Sequence, residues 1–264
     1  MKYKAGFIGC GNMGGALARA AASAVGGNNI AVCDYDKSKT SLLCNEFGTV
    51  ELSFEEMITS CKFIFLGVKP QVMQVALAPY TELINNSDAI IVTMAAALQI
   101  SYFEQIIGIT RPIIRIMPNM PASVGQGMIL YDSNDIATAQ IISEFLEIMS
   151  KAGKLDNLPE HLIDAGSAVS GCGPAFAFMF TEALADAGVE CGLPRDKAIL
   201  YAAQMLKGSA ELLLCEGNPG VLKDRVCSPG GTTIAGVHAL ENGAFRAAAM
   251  NAVTSAYKRT LELK

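Results

Sequence analysis

Near its start the chain passes from an apolar stretch, Lys4-Ala5-Gly6-Phe7-Ile8, into Gly9-Cys10-Gly11-Asn12-Met13-Gly14 and then into an Ala-rich segment. No other feature limits the fold as strongly. A strand, a GxGxxG turn and a helix, in that order, open a βαβ unit that binds a dinucleotide when an acidic residue follows about 20 positions on. Asp34 stands there. Gly9 allows the tight turn, Gly11 lets a pyrophosphate approach the backbone, and Gly14 lets helix and strand pack closely. Gly9, Cys10, Gly11, Asn12, Met13 and Gly14 are therefore the expected cofactor loop. The competing reading is a glycine turn with a structural role only. A carboxylate at Asp34 accepts from the ribose 2′-hydroxyl of NADH and repels a 2′-phosphate. Lys37 and Lys39 still offer charge to a phosphate, so NADH is the expected cofactor with NADPH tolerated.

The first part of the chain continues in the same alternation. Phe7-Ile8, Ile30 to Cys33, Phe63 to Val68 and Ile90 to Met94 are short apolar runs that suit parallel strands covered on both faces. Helical stretches lie between them: Met13 to Val25, Lys37 to Phe47, Phe54 to Thr59 and Val72 to Ile84. Ile113 to Met117 and Gly127 to Tyr131 read as two more strands with a reversed edge pair, and Ile136 to Met149 as an amphipathic helix. From Glu160 on, the pattern is helix throughout, broken at Gly192-Leu193-Pro194 and at Gly217-Asn218-Pro219-Gly220. The expected fold is an α/β, Rossmann-type doubly wound sheet over residues 1–158, followed by an all-α domain over 159–264 for substrate and dimerisation.

A chain of 264 residues has room for two such domains. Its net charge of −5 and the lack of a basic stripe argue against nucleic acid as a partner. The longest apolar run, Ala89 to Leu98, is too short to span a membrane. Lys2 and Lys4 precede a strand and no signal-peptide core follows, so a cytoplasmic protein is expected. Eight cysteines contain no CxxC pair and only two histidines accompany them, so no metal site is expected. Most cysteines read as buried small hydrophobes. Cys172 and Cys227 sit in informative loops, where a reactive thiol is the alternative.

A second loop, Cys227-Ser228-Pro229-Gly230-Gly231-Thr232-Thr233-Ile234-Ala235-Gly236, concentrates turn residues ahead of a helix. Pro229 ends any preceding helix, Gly230 and Gly231 let the backbone turn, and Thr232 or Thr233 is placed to cap the next helix. The result is a ring of N–H groups at a helix N-terminus, suited to a small anion. The plain alternative is a tight capping loop.

These two loops, with others between them, resemble pyrroline-5-carboxylate reductase over the whole chain. Gly6 to Gly14 is similar to that family's N-terminal fingerprint, Val68-Lys69-Pro70 to its short cofactor loop, and Met117-Pro118-Asn119 to its second cofactor-side loop. Ser170-Gly171-Cys172-Gly173-Pro174-Ala175 resembles its SGSGPA turn, with Cys172 in place of a serine. Leu222-Lys223-Asp224 and Ser228 to Gly236 resemble its substrate loop, although Arg225 stands where the family commonly has an acidic or amide residue. Close family members often carry a small polar residue at the position of Asp34 and use NADPH.

The resemblance implies reduction of 1-pyrroline-5-carboxylate, a cyclic imine carboxylate, to L-proline by hydride from NAD(P)H. Ser228, Gly230, Gly231, Thr232 and Thr233 would bind the substrate, its carboxylate on the loop N–H groups. The catalytic contact would be the Thr233 hydroxyl on the ring nitrogen. Val68, Lys69, Pro70, Ala95 and Ala96 would line the cofactor. Lys69 sits near its phosphates or ribose or is a surface lysine, and the small residues Ala95 and Ala96 admit a flat ring. Asn119 would bond the substrate side or the carboxamide, or else form an Asx turn. A protonated imine needs no elaborate general acid, which leaves His238 as a partly buried packing or hydrogen-bonding residue and His161 on the surface. Small-residue helices, Ala175 to Ala187 and Ala244 to Tyr257, imply a homo-oligomer, at least a dimer, with a decamer allowed. The rivals are a β-hydroxyacid dehydrogenase-like oxidoreductase and a non-enzymatic cofactor-sensing module. The first lacks its Lys-x-x-Asn-Asn pattern between Ala165 and Ala187; the second has no need of Ser228 to Thr233.

Overall fold

A computed structural model describes residues 1–108 and 111–263. Along the chain lie β1 (Tyr3–Ile8), α1 (Asn12–Val25), β2 (Ile30–Cys33), α2 (Lys37–Phe47), β3 (Val50–Glu51), α3 (Phe54–Ser60), β4 (Cys61–Leu66), α4 (Met73–Leu77), α5 (Thr81–Asn85), β5 (Ile90–Thr93), α6 (Ile100–Ile107), β6 (Ile113–Met117), β7 (Gly127–Ser133), α7 (Ala139–Met149) and β8 (Gly153–Asn157). Helices alone follow: α8 (Glu160–Ser170), α9 (Gly173–Glu190), α10 (Arg195–Glu216), α11 (Pro219–Val226), α12 (Thr232–Asn242) and α13 (Phe245–Glu262).

The strands form one sheet in the order β3-β2-β1-β4-β5-β6-β7-β8. The first six run parallel; β7 pairs antiparallel with β6, and β8 runs parallel to β7. The order reverses between β1 and β4, which is where open α/β sheets place their ligands. β4 shows why these strands are apolar throughout. Phe63 and Phe65 enter one core with Phe7, Leu17 and Phe145. Cys61, Ile64 and Leu66 enter the other with Met57, Met73 and Phe103. Both faces are covered, so alternation disappears.

Several expected elements change. The helix expected over Val72 to Ile84 is broken at Pro79, which sits in a 3-10 turn between α4 and α5. The helix expected from Ile136 begins at Ala139, because Thr138 caps it by accepting from the Ile141 N–H. β3, α6 and β8 were not expected. The edge strand β8, Gly-Lys-Leu-Asp-Asn, has no buried residue and hence no apolar signature.

Arg115 stands in the apolar strand β6 with no exposed surface. Its guanidinium lies 2.8 Å from Asp164 Oδ1 and 3.2 Å from Glu160 Oε1, both on α8. The same Glu160 oxygen accepts from the Ile100 N–H at the start of α6, and the Glu160 N–H donates to Asp132 on β7. One buried cation therefore joins β6, α8 and α6.

By compactness the chain divides into Met1–Gly171 with Tyr257–Lys264, and Cys172–Ala256. α8 packs on β7 and belongs to the first unit. In the second, α9 and α10 pack together closely enough that a Cβ on Gly188 would lie 3.2 Å from that of Ala198. Its buried hydrophobics among the described residues are Ala185, Ala198 and Ala202, whereas Met179 is 69% and Leu214 73% exposed.

Removing one acid from the Arg115 cluster leaves a buried charge undercompensated. Asp164→Ala is expected to lower stability by about 3 kcal/mol in denaturant unfolding. Arg115→Met with Asp164→Leu is expected to recover most of that loss, because the charge and its need for neutralisation go together. A double variant as unstable as the single one would refute this account.

Candidate active site

At the reversal of strand order the backbone packs almost without side chains. Gly9 takes φ +88, and its N–H donates to Cys33 O at 2.8 Å. The Gly67 N–H donates to Ile8 O at 2.7 Å. A Cβ on Gly14 would stand 1.9 Å from the Gly9 carbonyl oxygen, and one on Gly67 2.6 Å from it. Gly11 differs: a Cβ there would meet nothing within 4 Å. Gly11 is also the N-cap of α1, which has no side-chain cap and no acid in its first turn. Its opening N–H groups, at Asn12 and Met13, face a site that favours an anion. The loop therefore fits a dinucleotide pyrophosphate.

Asp34 braces this loop. Its Oδ2 accepts from the Cys10 N–H at 2.6 Å and its Oδ1 from the Asp36 N–H at 2.8 Å. Lys39 Nζ lies 3.6 Å from the same Oδ1. Lys37 turns away to Glu51. Burial, then the Asp34 carboxylate, push the Cys10 thiol up to about 12, so it is an inert packing group. Cys61 is the other buried cysteine; Cys191 and Cys215 are exposed in the single chain, contrary to expectation.

The remaining residues expected on the cofactor side follow the carboxyl ends of neighbouring strands. Val68 is half-buried, Lys69 is exposed, and Pro70 opens a 3-10 turn after β4. After β5, Ala95 is buried, Ala96 is exposed, and Ala97 takes φ +65, a conformation that costs an L-residue roughly 1 kcal/mol or more. After β6, Asn119 forms no Asx turn. Its Nδ2 donates to Ser170 O at 2.9 Å and its Oδ1 accepts from the Met128 N–H at 2.9 Å. The side chain thus fastens its loop to α8 and β7, with one N–H left over. Gly67 and Arg115 escaped the sequence reading. Their signals were a glycine closing an apolar strand and an arginine inside one.

In the second unit, Gly230 takes φ +68 while Gly231 is extended at φ −78. The left-handed glycine is therefore Gly230. Gly231 is constrained differently: a Cβ would fall 2.3 Å from Ser228 Oγ, and its N–H donates to Ser228 O at 3.0 Å. α12 starts at Thr232 with no side-chain cap, so neither Thr232 nor Thr233 caps it. Both threonines and Ser228 are exposed. His238 is exposed rather than partly buried, with Nε2 3.1 Å from Asn242 Nδ2, and His161 is on the surface. Arg225 pairs with Glu216.

Residues 160–263 match the family described as pyrroline-5-carboxylate reductase dimerisation, and residues 4–97 match NADP oxidoreductase coenzyme F420-dependent. The chain is 39% identical over 267 residues to pyrroline-5-carboxylate reductase of Escherichia coli K12, covering 100% of this chain and 99% of the relative. It belongs to the pyrroline-5-carboxylate reductase family. Solved structures agree. The Plasmodium falciparum pyrroline carboxylate reductase with NADP bound is 32% identical, with a TM-score of 0.85 over 98% of this chain and 97% of that one. The Coxiella burnetii pyrroline-5-carboxylate reductase is 26% identical, with a TM-score of 0.91 over 100% and 99%.

Membership in this reductase family sets aside both rivals raised by the sequence. The dimerisation match also bears on two stretches, Glu160–Glu190 and Arg195–Glu216, that are long and apolar enough to cross a membrane. Both fall within residues 160–263, where a protein partner accounts for exposed apolar faces.

The glycine geometry separates two roles. Gly14→Ala is expected to cost about 3 kcal/mol, since its methyl overlaps a backbone carbonyl. Gly11→Ala is expected to fold normally and to weaken NADH binding by on the order of tenfold or more, because the ligand needs that space. Thermal unfolding and a fluorescence titration with NADH measure the two effects. Equal stability losses would mean that Gly11 is structural.

Proposed function

We propose that this chain reduces 1-pyrroline-5-carboxylate to L-proline, as a cytoplasmic homodimer or larger symmetric assembly such as a decamer. The observation that carries the reading is the uncapped start of α12 behind Ser228–Gly231, in a chain of this family. The substrate carboxylate rests on the N–H groups of Gly230, Thr232 and Thr233, with Ser228 beside them. Gly231 shapes the loop rather than donating, because its N–H is taken by Ser228 O. No arginine is needed there.

Bound NAD(P)H supplies the hydride that the imine carbon receives. The ring nitrogen keeps the proton it carries as an iminium, and the π electrons of the C=N bond become its lone pair. The Thr233 hydroxyl holds that nitrogen in place. Gly9 to Gly14, Asp34, Val68 to Pro70, Ala95, Ala96 and Asn119 would hold the cofactor. Residues 159–264 act as the substrate and dimerisation domain, with Ala175 to Ala187 and Ala244 to Tyr257 facing the partner copy. Small residues along α9 and exposed apolar side chains on α9 and α10 support this.

Asp34 favours NADH, and Lys39 leaves NADPH tolerated. The Asp34→Ser variant is expected to raise the ratio of kcat/KM for NADPH over NADH by about tenfold or more, since a like charge near the 2′ position is removed. Because Asp34 also holds the Cys10 N–H, the variant loses some affinity for both. A wild type that strongly prefers NADPH would refute the assignment of Asp34.

Consumption of NADH with pyrroline-5-carboxylate tests the activity itself. Thr233→Ala is expected to lower kcat/KM by about 10- to 100-fold, the value of one hydrogen bond to a charged group. Stability and cofactor binding should stay unchanged, since the hydroxyl caps nothing. Thr233→Ser should be far milder. Unaltered kinetics in the alanine variant would remove Thr233 from the mechanism.

A further inference from the structure

Beside the Gly9–Gly14 loop a pocket of about 480 Å³ opens, lined among others by Gly11, Asn12, Ala16, Arg19, Lys39 and Ser123. Two of its lining side chains are cations and none is an acid. Arg19 is the unusual one. It is half-buried on α1, and its Nε, like those of Arg111 and Arg115, is wholly buried with no hydrogen-bond partner among the described residues; unlike them, it forms no side-chain hydrogen bond there through its other nitrogens. No ion pair involves it there either, whereas Lys37, Lys62 and Arg115 all have acids. A guanidinium is a planar cation with five N–H donors, and a buried donor without an acceptor is unfavourable. Lys39 is only loosely held, 3.6 Å from Asp34 and 3.8 Å from Asp36. Through Lys39 the pocket adjoins the Asp34 carboxylate, the group read above as the ribose contact. A phosphoryl group on the ribose 2′-oxygen has this pocket as its neighbour, and a phosphate dianion offers the fork acceptor that Arg19 lacks.

We propose that Arg19 and Lys39 form a phosphomonoester site for the 2′-phosphate of NADPH, and that Arg19 is the residue that lets the chain accept NADPH despite Asp34. The inference rests on the reading of Gly9 to Gly14 as the cofactor loop. Calorimetric titrations of the cofactor-free protein with adenosine 2′,5′-bisphosphate, AMP and inorganic phosphate test it, in the wild type and in Arg19→Met, which keeps the aliphatic stem. Wild type should bind the bisphosphate more tightly than AMP. Arg19→Met should lower bisphosphate affinity about tenfold relative to AMP, and should raise the NADPH KM by a similar factor relative to the NADH KM. Lys39→Met should act in the same direction. Inorganic phosphate that competes with the bisphosphate but not with AMP supports the site. Phosphate that binds as tightly as the bisphosphate would overturn the assignment to the cofactor. An equal fall for AMP and bisphosphate in Arg19→Met, or no change in either, would give Arg19 a packing role only and overturn the proposal. Failure of wild type to bind NADH at all would overturn the loop reading first, and this inference with it.

Discussion

A guanidinium with no contact to solvent must be neutralised where it stands, and Arg115 imposes that condition on the first unit. Its acids come from α8, so the helix cannot leave the sheet without stranding a charge in an apolar core. Glu160 shares its oxygen with the Ile100 N–H, which brings the start of α6 to the same point. Four residues further along the chain, just past β6, Asn119 donates to the Ser170 carbonyl at the other end of α8. Strand and helix are thereby fastened at two places. The Met117-Pro118-Asn119 loop is held by the second of these contacts. Separating α8 from the strand would leave the Arg115 charge buried and undercompensated.

The cofactor edge depends on an opposite device, the removal of side chains. Gly9, Gly14 and Gly67 meet so closely that any Cβ among them would strike a backbone carbonyl. Their contact brings α1 onto the β1–β4 boundary and points its uncapped N-terminus at the crevice. Asp34 then holds the loop by the Cys10 N–H, so the acid proposed for the ribose also shapes the glycine turn beside it.

What was legible in the sequence was whatever a local pattern carries. The GxGxxG turn and the apolar parallel strands were readable because burial on both faces makes a continuous run, as in Phe63 to Leu66. The edge strand β8 was not, since Lys154, Asp156 and Asn157 face solvent and share a strand with one half-buried leucine. Pro79 breaks the stretch Val72 to Ile84 into two short helices, because its ring removes an N–H that one continuous helix would need. At Ser228–Thr233 the composition marked a turn but could not say which glycine was left-handed, because both Gly230 and Gly231 suit that conformation and only one adopts it. The bonds that Arg115 and Asn119 make to α8 lay beyond local pattern, because those partners are 45 to 51 residues away in sequence.

The second unit poses a different physical problem. Its buried hydrophobics among the described residues are three alanines, while Phe178, Met179, Leu200, Leu214 and Met250 stand exposed. Burial of alanines contributes little apolar area, and helices held by so little cannot be stable on that alone. Exposed apolar faces of this extent mark an interaction surface. The dimerisation family that covers residues 160–263 identifies the kind of cover they receive. The loop at Ser228–Thr233 is carried by these helices, between α11 and α12. Its geometry therefore depends on helices with little core of their own, whereas the Gly9–Gly14 loop sits on a sheet already buried on both faces.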